Sequence, residues 1–162
     1  MKTILVTGIG GLTPRSITTI IRENHPDYKI IGCDLEKKAV GFFMKGLLDE
    51  YYICPRCNTP EYFPWIEKLV KEKNIDYAFV QPESEIVEWG DYYDKHGKFP
   101  CPTFMGCKLL SLSLKDKAIM AEALEGTEFI PKTIKVTQDN PKFEEVEKEI
   151  GFPYYNMPNL HY

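Results

Sequence analysis

The sequence predicts an α/β fold in which a doubly wound, mostly parallel sheet carries helices on both faces. Two observations predict it: short apolar, β-branched runs alternate with amphipathic stretches, and the first such run ends in a cluster of glycines. Alternation of this kind is typical of βαβ units, whose parallel strands are covered on both sides. With 162 residues, 43% of them hydrophobic and 27% charged, the chain is large enough to bury such a core.

The first βαβ unit takes up the N-terminal part of the chain. Residues 2–7 (KTILVT) and 28–34 (YKIIGCD) have the composition of buried strands, and residues 14–24 between them are predicted to be a helix. Thr13 suits the N-cap of this helix, and Pro14 suits its first position. The predicted apolar face carries Ile17, Ile20 and Ile21.

The alternation continues through the middle of the chain and then changes. Further strands are predicted at 50–54 and 76–82, an edge strand or loop at 98–104, and helices around Trp65, Ile66, Leu69 and Val70 and at 85–96. Beyond this point a helix at 114–124, a strand at 132–136 and a charged helix ended by Gly151 are predicted. We therefore expect a doubly wound domain at 1–112 and a linking helix with the start of a second domain at 113–162.

Composition and charge exclude several classes of function. The net charge of −4 and the pI near 5.5 give no basic surface for nucleic acid, and no apolar segment is long enough to cross a membrane. The N-terminal apolar run is interrupted by glycines before it could form a signal peptide. An odd number of cysteines, five, favours reduced thiols, so we expect a cytoplasmic protein without nucleic-acid or membrane partners.

The stretch VTGIGGLTPRSI at residues 6–17 is the first candidate site. A strand that runs into glycines and then into a helix brings free backbone N–H groups and the positive end of the helix to one place, which suits an anion. The dinucleotide fingerprint is incomplete, because Thr13 or Pro14 stands where the last glycine belongs. Asp34 is nevertheless placed to imitate the acid that binds a ribose. An NAD(P)-binding oxidoreductase and a simple tight turn therefore both remain open.

Three features of the sequence, one of which includes the glycine loop, resemble a known family. They are ILVTGIGG at the start, PESE after the fourth strand, and LKDKAIMAEAL followed by FIPKTIKV. Together they resemble the N-terminal (pre-ATP-grasp) domain of ATP-grasp ligases, most closely the short proteins similar to the carbamoyl-phosphate synthase large subunit. The resemblance covers nearly the whole chain and implies a Rossmann-like sheet of the pre-ATP-grasp type.

The resemblance also implies functional residues. The glycine loop and two acids would face a small carboxylate or amine substrate: Gly8, Gly10, Gly11, Glu83 and Glu85. Asp116 and Lys117 match the Asp-Lys pair of the family, which makes Lys117 the candidate ligand of a nucleotide phosphate. The implied chemistry is acyl-phosphate formation with ATP and magnesium. No catalytic residue and no metal ligand is assigned within this chain.

The C-terminal residues depart from the family pattern. Gly151, Phe152 and Pro153 start the expected strand, but Met157 stands at the lysine position and no glycine loop or acidic metal ligand follows. We therefore expect a truncated ligase domain that is inactive alone, binds neither ATP nor magnesium tightly, and works with a separate ATP-grasp domain or a second copy. The alternatives are a non-catalytic dimerisation or docking module and an NAD(P)-binding Rossmann oxidoreductase.

The sequence CPRC at Cys54–Cys57 is the remaining motif. Cys-x-x-Cys serves zinc or thiol redox chemistry, although two small residues at the end of a strand are a simpler explanation. The three histidines show no spacing typical of metal ligands. The aromatic group Trp89, Tyr92 and Tyr93 is predicted to cover a core.

Overall fold

The computed structural model describes residues 2–108, 117–128, 132–134, 136 and 143–151. The chain forms two compact units, Met1–Ser111 and Leu112–Tyr162. The first contains a five-stranded sheet with helices, so the predicted doubly wound, Rossmann-like α/β class is confirmed. The division into domains at residue 112 stays a prediction.

All neighbouring strands of the sheet run parallel, in the order β3-β2-β1-β4-β5. The strands are β1 (Thr3–Thr7), β2 (Lys29–Asp34), β3 (Glu50–Ile53), β4 (Tyr77–Val80) and β5 (Thr103–Met105). Thr7 pairs with Cys33 and Asp34 pairs with Ile53, so the carboxyl ends of these strands meet at one edge. β5 lies at the outer edge, as the prolines beside it predicted.

The helices of the first unit lie on both faces of the sheet. They are α1 (Leu12–Asn24), α2 (Tyr62–Lys73) and α3 (Glu83–His96), with a short 3-10 helix at Val40–Phe43. One apolar cluster joins α2 and α3 to the sheet through residues such as Leu5, Ile66 and Trp89, and Trp89 is fully buried as predicted. A second cluster on the opposite face contains Ile4, Val6, Ile9, Ile30, Ala39 and Leu47, with Ile21 of α1 packed against it.

The beginning of α1 differs from the prediction. The helix starts at Leu12 with Gly11 as its N-cap, and no side chain caps it, so Thr13 is not the cap and Pro14 is not the first helical residue. The buried positions are Pro14 and Thr18, whereas Ile20 is 59% exposed. The cause is local: the turn closed by the Gly11 N–H on the Gly8 carbonyl, at 2.9 Å, already leads the chain into the helix.

The second unit is described only in part. It contains α4 (Lys117–Ala123) and α5 (Phe143–Glu149), and Gly151 follows α5 with a φ of +78°. No strand is assigned to residues 132–134 and 136, where one was predicted. The predictions for Asp116 and for Phe152, Pro153 and Met157 fall outside the described residues.

Candidate glycine-loop site

The glycine loop is shaped by two close backbone approaches. β1 ends at Thr7, and Gly8 adopts a φ of +64°, a left-handed conformation that favours glycine. A Cβ atom built on Gly8 would lie 2.4 Å from Cγ of Pro82, so the loop is packed directly against the turn that follows β4. The loop therefore needs glycine at this position for two separate reasons.

The N-terminus of α1 opens onto this loop. No side chain caps the helix, and its first turn contains no acidic residue. The first-turn N–H groups of Leu12 and Thr13 have no intrahelical acceptor, whereas Pro14 has no N–H to offer. Together with the positive end of the helix dipole, this arrangement favours a bound anion.

Asp34 holds the loop from the end of β2. Its Oδ2 accepts the Gly10 N–H at 2.8 Å, and its Oδ1 accepts the Glu36 N–H at 2.9 Å. A Cβ on Gly10 would lie 3.0 Å from Oδ2 and 3.3 Å from Cβ of Ala39, so the space for a side chain is already taken. The carboxylate is half-buried and keeps lone pairs for a further donor such as a sugar hydroxyl.

Arg15 is a residue of this site that the sequence analysis did not single out. Its Nε donates to the Gly11 carbonyl at 2.9 Å, which holds the guanidinium beside the start of α1. The signal was present in the sequence, because an arginine four residues beyond the last loop glycine lies one helical turn from it. The group adds a positive charge to a place already suited to anions.

The two acids that follow β4 have different surroundings. Glu83 and Glu85 both belong to the first turn of α3, but Glu83 is exposed and Glu85 is only 7% exposed. Residues two apart on a helix point in nearly opposite directions, so these two cannot line the same cleft in the same way. A role in substrate binding for Glu83, Glu85 or the loop glycines stays a prediction.

Glu85 is part of a buried hydrogen-bond network. The hydroxyls of Thr7 and Tyr62 interact with its carboxyl, and Tyr62 accepts the indole N–H of Trp89 at 3.1 Å. Burial in this apolar cluster raises the pKa of Glu85 to about 7, and the charge of Asp34 adds to the rise. Glu85 therefore titrates close to neutral pH.

The cysteine motif lies near this network. All five cysteines are free, and a hydrogen bond with the Cys54 thiol, together with burial, raises the pKa of Cys33. Burial also raises the pKa of Cys57, which makes its thiol less reactive. Within the described ranges no group of three or more His, Cys, Asp or Glu residues is arranged to hold a metal. A zinc or redox role for Cys54 and Cys57 therefore gains no support.

Lys117 opens α4 in the second unit, and its side chain lies outside the part of the chain that is described, so its assignment to a nucleotide stays a prediction.

Every helix in the described segments is too short or too polar to span a bilayer. Two surface depressions of about 610 and 660 Å³ lie along α2 and beside α3, and neither is lined by the glycine loop.

Comparisons with known proteins give matches among solved structures alone. No protein-family model and no curated protein matches the chain. Bacillus anthracis dTDP-glucose 4,6-dehydratase in complex with NAD is 16% identical over 87% of this chain and 43% of its own, with a TM-score of 0.49. Helicobacter pylori ADP-L-glycero-D-manno-heptose-6-epimerase is 19% identical over 86% and 44%, with a TM-score of 0.40. Staphylococcus aureus TarJ in complex with NADPH is 14% identical over 95% and 53%, with a TM-score of 0.36. The chain thus spans about half the length of these proteins or less.

These matches correct the predicted family. They are a dehydratase, an epimerase and TarJ, not ATP-grasp ligases, so the predicted ligase membership and the predicted ATP and magnesium are wrong. The features that carried the resemblance are a glycine loop after one strand, acids after another, and a later amphipathic helix. Doubly wound domains of many functions share such features, because the fold itself places loops and helix N-termini at the carboxyl edge of the sheet. The predicted partners, a carboxylate or amine substrate and a separate domain or second copy, are untested.

Proposed function

We propose that the first unit of this chain is the nicotinamide-dinucleotide-binding domain of a Rossmann-type oxidoreductase. One observation carries the proposal: the carboxylate at the end of β2 accepts the N–H of Gly10, in the loop that leads into α1, at 2.8 Å. Asp34 and the start of α1 are therefore neighbours, as a ligand that joins a ribose to a diphosphate requires. The proposal concerns binding and assigns no catalytic residue.

The strand order supports a ligand at this edge. β2 and β3 lie on one side of β1, and β4 and β5 lie on the other. In open α/β sheets, ligands bind at the carboxyl ends of the strands where the order reverses, here between β1 and β4. The loop at residues 8–11 follows β1, and the turn with Gln81 and Pro82 follows β4, so both segments border that crevice.

The residues present fit a diphosphate beside α1. The uncapped first turn supplies N–H donors, and Arg15 supplies a positive charge. Pro14, one of the two residues that stand where the dinucleotide fingerprint has its last glycine, is buried, and Thr13 is exposed. A Cβ on Gly11 would lie 3.3 Å from Cδ of Pro14, so the buried proline packs against the loop.

Asp34 also favours one dinucleotide over the other. A carboxylate at the end of β2 accepts hydrogen bonds from ribose hydroxyls and repels a phosphate on the 2′-oxygen. We expect NADH to bind more tightly than NADPH. A cytoplasmic setting remains part of the proposal, on the basis of the cysteine content of the sequence.

Calorimetric titration of the chain with NADH and with NADPH tests the proposal. Asp34→Ala removes the charged acceptor, and we expect a loss of NADH affinity of roughly tenfold to a hundredfold, the size of one or two hydrogen bonds to a charged group. Asp76→Ala is the matched control, because Asp76 also accepts a backbone N–H, that of Thr3 at 2.8 Å, but lies before β4 at the opposite edge. Absence of NADH binding, or equal losses in the two variants, would refute the proposed function.

A further inference from the structure

Glu85 is a buried acid that the proposed ligand site does not use directly. It is 7% exposed, and its Oε2 atom has no hydrogen-bond partner. A buried carboxylate with one unsatisfied oxygen is costly, and a neutral carboxyl is much less so. The position therefore favours the protonated form of this side chain.

The contacts of Glu85 connect the two segments that border the crevice. Its carboxyl interacts with the hydroxyl of Thr7, the last residue of β1, which favours the ionised form. The same hydroxyl oxygen accepts the N–H of Gln81, after β4, at 3.3 Å. The next residues of the two segments, Gly8 and Pro82, are in direct contact. Glu85 is thus connected through the hydroxyl of Thr7 to the start of the glycine loop.

Among the described residues, no cation interacts electrostatically with Glu85. In the described part of the chain, the titratable groups that interact electrostatically with Glu85 are Asp34 and Cys33 on β2, Tyr62 on α2, and Cys57 before α2. β1 contributes only the neutral hydroxyl of Thr7. Any negative charge that arrives at the loop adds to the unfavourable effect of Asp34 on an ionised Glu85.

We propose that Glu85 is a proton-linked positioning residue of the glycine loop, and that an anionic ligand is bound there with uptake of a proton by Glu85. This inference rests on the proposed function and names its regulation by pH. The protonated carboxyl removes one negative charge from beneath the ligand and keeps Thr7 in the hydrogen-bond network. The ionised carboxyl repels the same ligand through a water-excluded interior, where charges interact strongly.

The pH range of the effect follows from the position of the group. Burial places the pKa of Glu85 at about 7, so the ionised fraction changes between slightly acidic and slightly alkaline pH. NADH affinity should fall by up to tenfold per pH unit above this value if the ionised form does not bind. Below it the affinity should be constant.

The test is calorimetry of NADH binding near pH 7 in two buffers of different ionisation enthalpy, which counts the protons taken up. Wild type is expected to take up a measurable fraction of one proton, and Glu85→Gln, which keeps the shape of the side chain, none. Glu67→Gln is the control: Glu67 also accepts a tyrosine hydroxyl, from Tyr92 at 2.6 Å, but at the surface, so proton uptake should match wild type. Equal uptake in wild type and Glu85→Gln would overturn the inference.

A second variant guards against a purely structural effect at Glu85. Thr7→Val removes one donor to the carboxylate, which should move the fall in affinity to higher pH, whereas a structural defect would lower affinity at every pH.

Inorganic pyrophosphate, titrated into the same proteins, separates the two proposals. If NADH does not bind but pyrophosphate binds with more proton uptake in wild type than in Glu85→Gln, the dinucleotide function fails and the inference stands. If neither ligand binds, both fail.

Discussion

At the scale of single residues, Asp34 and Glu85 show how different surroundings give two carboxyl groups near the glycine loop different properties. Asp34 is half-buried and accepts two backbone N–H groups, a setting that suits a charged acceptor. Glu85 is enclosed by apolar residues and keeps one oxygen without a partner. Sequence alone identified both as candidates, but their different burial depends on the helix position of Glu85, which only the folded chain defines.

The burial of Glu85 predicts a pH dependence of stability. Its pKa is about 7 in the folded chain, against 4.5 for the ordinary group, so the folded state holds this proton more tightly than the unfolded state. The stabilisation is full below pH 4.5 and is lost as pH rises through 7, and it amounts to about 3 kcal/mol. Glu85→Gln should remove this slope. Urea unfolding of both proteins between pH 5 and pH 8 checks it, and parallel stability curves would contradict it.

Gly8 allows a second prediction at this scale. Gly8→Ala combines an unfavourable φ with a Cβ 2.4 Å from the ring of Pro82, which has little freedom to move. Gly46→Ala is the control, since Gly46 has a φ of +78° and nothing within 4 Å of a built Cβ. We expect Gly46→Ala to cost about 1 kcal/mol of unfolding free energy and Gly8→Ala about 1–3 kcal/mol more. Similar losses in chemical denaturation would mean that the contact with Pro82 is unimportant.

At the scale of elements, α1 explains both a success and a failure of the sequence analysis. The strand, helix and strand of the first βαβ unit were predicted, because hydrophobic periodicity depends on local sequence. The N-terminus of α1 was misplaced, because Thr13 and Pro14 are good start signals but the glycine turn begins the helix earlier. The same limit applies to α3, which begins at Glu83 and so turns Glu83 and Glu85 to different sides.

The uncapped start of α1 predicts opposite effects on stability and binding. Thr13→Glu places an acid at an exposed position in the first turn, which should stabilise the helix by about 0.3–1 kcal/mol through the dipole. The same charge should repel the diphosphate and weaken NADH binding roughly tenfold, about 1.4 kcal/mol. Ser16→Glu adds the charge beyond the first turn and serves as the control. Thermal unfolding and calorimetry check the two effects, and unchanged NADH affinity in Thr13→Glu would argue against an anion site there.

At the scale of the whole molecule, the sheet was predictable and the family was not. Apolar runs and glycine turns define a parallel α/β sheet, but the order β3-β2-β1-β4-β5 depends on contacts between distant segments. The glycine loop, the acids after β4 and the later helix were assigned to an ATP-grasp ligase. The fold itself generates such features, so they did not discriminate between functions. The approach of Asp34 to Gly10, across 24 residues of sequence, is the kind of contact that only the folded chain reveals.

The measurement that tests the central claim most directly is an amide-resolved NMR titration of the isotopically labelled chain with NADH. The account predicts saturable shifts at the backbone amides of Gly10, Leu12, Thr13 and Glu36, all at the carboxyl edge of the sheet. Amides near Asp76, at the opposite edge, should stay unchanged. Shifts confined to the opposite edge, or no shifts at millimolar NADH, would contradict the account.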